Sequence, residues 1–517
     1  MKISLISTSL FPGDQGLRTI SACLKREGHD VKMIFLPMFG EYSKVYSQEV
    51  VEQVSDFVKG SKLIGIGSMA STSKRAIQLI KYFQNLGYPV IWGGPHPTFF
   101  PQDCFKHCNI VAVGEAEYAF NELAKRIENN NDYLNIPNLW VRKDGKEIIN
   151  DVGSPVQDLD WLANPDFEFQ DQIILENEKL IPIEERHLYG VYYFQTERGC
   201  PQACSYCTNN ILRDIYKGKS DLLRTHSVDY VINEFKRIKT LFPSIGVFDI
   251  RDETFLIRNV SWLREFSERY KKEINIRFKC LSEPASMGIE KLSDEKIRLL
   301  VEAGLTDIII GIQSGSDRLN MKLYNRFISA DQVVKAAQMV NKYNDKLSVM
   351  YDIITCNPYE TKEDILDTIK LLMRIPKPYF CSVNNLIFFE GTPLYKKAIE
   401  DGYIKNGFDS ATELNYWDRW QHIKLKKKNA YLNLVLNLMR GRCTDKRYGI
   451  IPSWSLKILI NDKIVNFNLK FILPTYIVGY LVQGMDNFRE YIVKPMYRMM
   501  PTSFKVWYDL IRFKTTV

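Results

Sequence analysis

The sequence predicts an α/β protein: a doubly wound parallel sheet, then an open six-unit (β/α) barrel, then a mainly helical C-terminal segment. Three observations carry this expectation. Five short apolar runs alternate with helical patterns over residues 1–155, six more do so over 191–400, and the alternation then stops. At 517 residues, with 45% hydrophobic and 25% charged side chains, the chain is long enough for several buried cores.

The first five runs are KISLIS (2–7), VKMIFL (31–36), KLIGIG (62–67), PVIWGG (89–94) and NIVAVGE (109–115). Nearly continuous apolar strands with helical crossovers imply a parallel sheet covered on both faces. Ligands of such sheets sit at the carboxyl ends of the strands. Those ends read FPGDQG (11–16), SMASTS (68–73), GGPHPT (93–98) and GEAE (114–117). Glycine and small hydroxyl residues there let backbone approach a large ligand closely. The opening run meets Pro12 and Gly13 too soon for a secretory signal, so a cytoplasmic protein is expected. Ten cysteines without a paired framework favour metal ligation over disulfides in that setting.

Residues 156–190 are polar, with Pro and acidic clusters, and read as a linker. The barrel strands follow as VYYFQT (191–196), IGVFDIRDE (245–253), NIRFKC (275–280), DIIIGIQSG (307–315), KLSVMYDII (346–354) and CSVNNLIFF (381–389). Chemistry in such barrels gathers at the C-terminal strand ends. The segment 401–517 is aromatic and basic, with 19 Lys and Arg against 9 Asp and Glu, whereas the first 400 residues hold 50 against 52. Its run FILPTYIVGYLV (471–482) is too short for a membrane span and reads as a buried or interfacial helix.

The chemistry-bearing stretch is TERGCPQACSYC (196–207), a C-x-x-x-C-x-x-C loop at the exit of the first barrel strand. Three soft thiolates, Cys200, Cys204 and Cys207, suit three irons of a 4Fe-4S cluster. A fourth iron without a protein ligand can chelate the amino and carboxylate groups of S-adenosylmethionine. One electron passed into the sulfonium then releases a 5′-deoxyadenosyl radical. A zinc site would want a fourth Cys or His, and His187 and His226 do not stand at finger spacing.

On these residues the chain resembles the radical S-adenosylmethionine superfamily. Over roughly residues 1–400 it resembles the branch with an N-terminal cobalamin-binding domain. The resemblance implies a Rossmann-like cobalamin domain over 1–155, the linker, a radical S-adenosylmethionine barrel over 191–400, and a capping or substrate domain over 401–517. It also implies S-adenosylmethionine contacts from Tyr206, before the third cysteine, and from Asp252 and Glu253 in FDIRDETF (248–255). Gln313 and Ser314 lie in GIQSGSD (311–317), which resembles GIESGSD with Gln for Glu, and Arg326 lies in YNRFIS. CNPYET (356–361) resembles a GxPxET turn with Cys356 for Gly, and EGTPLY (390–395) resembles PGTPLY with Glu390 for Pro.

For cobalamin the matching residues are Gly13, Ser68, Ser71, Gly93, Gly94, His96, Pro97, Gly114 and Glu115. The chain has no D-x-H-x-x-G segment, so cobalt is expected to carry no protein His, with His96 at the corrin periphery. Cys104, His107 and Cys108 make an incomplete metal set and read as core.

The resemblance implies methyl transfer to an unactivated carbon of a small-molecule, sugar-phosphate or lipid-type substrate. Radical cyclisation, rearrangement or oxidation is the competing chemistry, and a sensor without turnover is the competing class. Flavodoxin or ferredoxin would supply electrons. KLKKK (424–428), after YWDRW (416–420), suits an anionic group. No pattern points to nucleic acid, and membrane contact would be peripheral at most.

Overall fold

The chain is described by a computed structural model that covers residues 1–38, 44–221, 223–287, 290–404 and 429–470. Two nine-stranded sheets contain the eleven predicted apolar runs, each run ending within about four residues of its observed strand, and add seven strands that were not predicted. The first sheet contains β1 (Lys2–Ser7), β2 (Asp30–Phe35), β3 (Leu63–Gly67), β4 (Val90–Gly93), β5 (Ile110–Ala112), β6 (Leu139–Lys143), β7 (Lys146–Ile149), β8 (Gln172–Glu176) and β9 (Lys179–Pro182). Its order is β7-β6-β5-β4-β3-β1-β2-β8-β9, with β1 to β5 and β8 parallel and β6, β7 and β9 antiparallel at the edges. Alternation along the strands splits its core. Ile6, Ile34, Ile64 and Trp92 face one helical layer, and Leu5, Met33, Leu63 and Ile91 face the other.

The stretch 156–190 is not a linker. It supplies β8, parallel to β2, and the β8–β9 hairpin that closes one edge of the sheet. Its polar residues serve Arg18, a fully buried guanidinium from the helix Gln15–Arg26. Arg18 donates to the Asp166 carbonyl at 2.5 Å and to Gln172 Oε1 at 2.8 Å, and lies 4.4 and 4.0 Å from the Phe35 and Phe167 ring centroids. Burial lowers its pKa to about 9 against the pull of Asp166. Polarity here marks the partners of a buried cation rather than an exposed connection.

The second sheet begins with β10 (Val191–Phe194). A separate two-stranded ribbon of β11 (Glu197–Gly199) and β12 (Leu223–Thr225) comes next. The sheet continues with β13 (Val247–Ile250), β14 (Phe278–Ser282), β15 (Leu305–Gln313), β16 (Ser348–Thr355) and β17 (Tyr379–Asn385), all parallel in chain order. This is the open six-unit barrel. β18 (Gly441–Cys443), β19 (Arg447–Tyr448) and β20 (Ile451–Pro452) then extend it antiparallel from β17. The helix Ala430–Leu438 places Leu432, Val435 and Leu436 in the same core as Ile308 and Val349. The described part of the C-terminal segment therefore continues the barrel as well as being helical. Strands of two or three residues leave no periodic trace in a sequence.

FILPTYIVGYLV, YWDRW and KLKKK lie outside the described residues. Among the described residues no helix is long and apolar enough to cross a membrane.

Gly315, in the turn after β15, shows how tightly the barrel closes. A Cβ there would stand 2.5 Å from both the Asp367 carbonyl oxygen and Thr368 Cα, and its N–H donates to Thr368 Oγ1 at 2.9 Å. Backbone cannot retreat as a side-chain tip does. Gly315→Ala should cost about 3 kcal/mol, read as a lower urea midpoint at unchanged slope.

Candidate active site

The cluster loop leaves the ribbon at Gly199 and is held at nearly every residue. Ser205 N–H donates to the Tyr324 carbonyl at 2.9 Å and its hydroxyl to Leu323 at 2.5 Å, while Asn325 Nδ2 donates to Ala203 at 2.9 Å. From the helix Asn209–Ile215, Arg213 Nη2 donates to the carbonyls of Pro201 and Gln202, each at 2.8 Å, and Asn210 Nδ2 donates to that of Cys204. Cys204 is buried, and Arg326 Nη1 stands 3.6 Å from its sulfur. Cys200 and Cys207 are half-buried. Burial pushes both thiols up to about 12, so iron must displace their protons on binding. Among the described residues no three His, Cys, Asp or Glu groups converge on a single ion. A four-iron cluster makes a different demand, one thiolate for each of three irons.

The residues expected around S-adenosylmethionine divide into two sets. Asp252 is buried and fully engaged. It accepts from Thr196 N at 2.6 Å and Oγ1 at 2.5 Å, from Glu197 N at 3.1 Å and from Arg258 Nη2 at 3.0 Å. It ties strand ends together rather than facing a ligand. Glu253, the next residue, opens into the cavity; the protein around it, and then Asp252, raise its carboxyl above the ordinary value. Ser314 is also structural, with its hydroxyl 3.2 Å from Thr368 Oγ1 and no exposure. Gln313 sits at a register shift between β15 and β16 with φ +62° and folds back over Gly311.

Arg326 Nη2 donates to the Gly311 carbonyl at 2.7 Å and Nη1 to Tyr206 Oη at 3.3 Å, joining the β15 end to the cluster loop. The Tyr206 ring packs edge-on against Tyr324 at 5.1 Å, within a small core cluster. Cys356 has φ +57°, the left-handed region that favours the glycine of the motif it resembles.

The strand ends of the first sheet and of the barrel face one cavity, with about 1880 Å³ of empty space including its mouth. Its enclosed part, about 460 Å³, lies within the roughly 300–1,000 Å³ of an ordinary small-molecule pocket, and the rest opens toward the mouth. Ser68, Gly93, Gly94, Gly114 and Glu115 line it from one side, and Arg198, Cys200, Arg213 and Glu253 from the other. Gly65 and Gly67 lie on its wall, where the lack of a side chain makes room for neighbouring protein. A Cβ on Gly65 would stand 2.7 Å from Leu5 Cδ2 and 2.8 Å from Phe120 Cζ. Gly94, at φ +102°, passes so near Ser68 that a Cβ would stand 3.0 Å from its carbonyl oxygen. Glycine-lined strand ends on one wall and the cluster loop on the other bound a cavity open at its mouth, and the residues present fit cobalamin.

Four of the expected cobalamin residues lie off the cavity wall. Gly13 faces the Tyr193 ring instead, and Ser71, His96 and Pro97 do not line the cavity. The short helix Pro95–Phe99 turns His96 inward, 5.5 Å from the Trp92 ring and 5.0 Å from Phe100, and presents Pro95, Thr98 and Phe99 to the cavity. Burial lowers the imidazole to about 4. Glu115 does line the cavity, but its carboxylate meets Arg198 at 3.0 Å and Arg224 at 2.5 Å. Cys104 and Cys108 are buried, as core residues should be.

Sequence reasoning missed Asp14, Arg198, Arg213 and Arg224. Asp14 caps the helix Gln15–Arg26 and accepts from Ser7 Oγ at 2.7 Å and Ser9 Oγ at 3.1 Å. Its signal was an acid directly before a helix at a strand end. Arg198 stands two residues before the first cysteine, a position that a search confined to thiols passes over.

Two family models match the chain. The B12 binding domain covers residues 1–124 and the Radical SAM superfamily covers residues 195–372. The chain belongs to the cobalamin-binding branch of the radical S-adenosylmethionine enzymes. Its cofactors are a 4Fe-4S cluster, S-adenosylmethionine and cobalamin. The uncharacterized methyltransferase PH0819 of Pyrococcus horikoshii is 26% identical over 433 residues, 80% of this chain and 86% of that protein. Bacteriochlorophyllide d C-8(2)-methyltransferase of Chlorobaculum tepidum is 24% identical, covering 78% and 81% respectively. The methyltransferase TsrM of Kitasatospora setae, solved with cobalamin and a [4Fe-4S] cluster, shares the fold. Its TM-score is 0.60 at 15% identity, covering 77% of this chain and 78% of that one. OxsB, solved with aqua-cobalamin and S-adenosylmethionine, aligns at TM-score 0.62 and 14% identity, over 99% of this chain and 75% of that one.

Three outcomes follow from the geometry of this enzyme. Asp252→Asn leaves the buried Arg258 to Glu197, 3.3 Å away, and weakens the hydrogen bonds from Thr196 and the Glu197 N–H, and should destabilise the fold by about 2 kcal/mol. Glu253→Gln should melt like wild type yet bind S-adenosylmethionine more weakly by calorimetry on the reconstituted protein. The reverse pattern would exchange the two roles. Cob(II)alamin bound to the protein should show no axial protein nitrogen in its EPR spectrum, and His96→Leu should leave that spectrum unchanged.

Proposed function

We propose that this enzyme transfers a methyl group to an unactivated carbon of a small, anionic substrate. One observation carries the reading: Cys200 of the cluster loop and the glycine loops of the cobalamin domain line the same cavity. A methyl donor and a carbon radical must meet within one site for methyl capture to compete with quenching. Bound there, the cluster supplies reductive cleavage of S-adenosylmethionine and cobalamin carries the methyl group.

The residues of the chain prepare that meeting. Cys200, Cys204 and Cys207 hold the cluster, and Arg213 and Asn210 fix the carbonyls of its loop. Glu253 takes the amino group of S-adenosylmethionine, while Arg326 offsets negative charge beside Cys204. Gly93 and Gly94 present backbone to the cavity where the corrin would lie. The basic excess after residue 401 is the feature that selects an anionic substrate, and a flavodoxin or ferredoxin of the reducing cytoplasm is the electron donor.

The test uses reconstituted enzyme, S-adenosylmethionine with a deuterated methyl, a reductant, and a small-molecule extract of the source cells. One compound should gain a labelled methyl while S-adenosylhomocysteine and 5′-deoxyadenosine accumulate together. Replacing the three cysteines by Ala should abolish cluster absorbance and 5′-deoxyadenosine. A modified compound without label and without S-adenosylhomocysteine would instead make the enzyme a cyclase, mutase or oxidase.

A further inference from the structure

The cluster loop is strung from β11 and β12, whose register sets Arg198 directly opposite Arg224. Two guanidinium groups facing each other across a two-stranded ribbon repel. Neither is left so. Glu115 and Glu117, from the loop and helix that follow β5, reach across from the cobalamin domain. Arg198 Nη1 meets Glu115 Oε2 at 3.0 Å and its Nη2 meets Glu117 Oε1 at 2.6 Å. Arg224 meets Glu115 through both nitrogens, at 2.5 and 3.1 Å. The four side chains balance in charge and are largely buried, from 23% exposed at Arg198 to 5% at Glu117. Burial alone would raise the Glu115 carboxyl, but the two arginines hold it below its ordinary value.

A second contact fixes the same junction. Tyr216, from the cluster-loop side, accepts the Glu115 N–H on its hydroxyl at 2.6 Å. That hydroxyl fills the place a Cβ on Gly114 would need. Glycine with φ +83° is the residue that allows this approach.

We propose that Arg198, Arg224, Glu115 and Glu117 are positioning residues that lock the cluster loop to the cobalamin loop. They thereby set the separation of the two cofactors. The inference rests on the reading that both cofactors share the cavity. An ion-pair set between two rigid strand ends holds distance and orientation together, as a site built on supporting contacts requires.

The test is magnetic and needs no substrate. Protein loaded with cob(II)alamin and a reduced cluster should show cobalt electron-spin relaxation quickened by the nearby cluster, an effect that falls steeply with distance. The double variant Glu115→Gln and Glu117→Gln should keep full iron and cobalamin content, yet lose this quickening several-fold, because unneutralised Arg198 and Arg224 push the ribbon apart. With Glu115→Gln kept, exchanging charges by Arg198→Glu and Glu117→Arg should restore part of it. A merely stabilising role would lower the melting temperature and leave the relaxation of the folded fraction as in wild type; that result would overturn the proposal. If the double variant does not fold, Tyr216→Phe decides, with a smaller loss expected and an unchanged relaxation rate overturning it. Absence of any cobalt–cluster interaction in the wild type would fail the shared-cavity reading instead.

Discussion

Everything at the active site depends on one constraint: the carboxyl ends of two separate parallel sheets must face each other across a single cavity. Parallel strands gather their loops at one end, so each sheet offers one reactive edge. Two such edges oppose only if the sheets are held edge to edge against solvent and thermal motion. The chain does this with buried charge as well as with apolar contacts such as those of Phe169 to both cores. Arg18, 4.0 Å from the ring of Phe167 in the barrel core, ties the units on one side of the junction, and the four charges around Glu115 join them on the other.

Charge suits this task because it is directional. An apolar interface of the same area tolerates sliding by an ångström, whereas bidentate arginine contacts fix both distance and angle. Burial makes that choice costly for any unpaired member, which is why each buried guanidinium here meets carboxylates or carbonyls. The cavity wall follows the opposite rule. Gly65, Gly67 and Gly93 line it without side chains, and at Gly65 the apolar Leu5 and Phe120 close in on the strand.

Much of this was legible in the sequence, for reasons that also explain what was not. Buried parallel strands such as KLIGIG announce themselves as continuous apolar runs, and the cysteine spacing fixes the cluster loop. Orientation is another matter. Asp252 and Glu253 are neighbours at a strand end, where successive side chains point to opposite sides, so a matching motif located both without saying which met the ligand. His96 was misplaced because the five-residue helix Pro95–Phe99 rotates it away from the loop's open face. Residues 156–190 looked exposed because their polar groups pair with a cation that lies far away in sequence. Short strands such as β19 and β20 have no period to detect.

The segment 156–190 has a further consequence, for how the molecule comes apart. Phe167 belongs to the barrel core, yet its ring lies 4.0 Å from Arg18, which grows from the first sheet's own helix. Phe169 likewise packs against the cores of both units. Neither unit can therefore melt without exposing part of the other's interior and stranding a buried guanidinium. The two halves, so distinct as cofactor modules, form a single cooperative unit of stability. Severing the chain at residue 190 would take Phe167 and Leu188 out of the barrel core and leave the barrel fragment without part of its own interior.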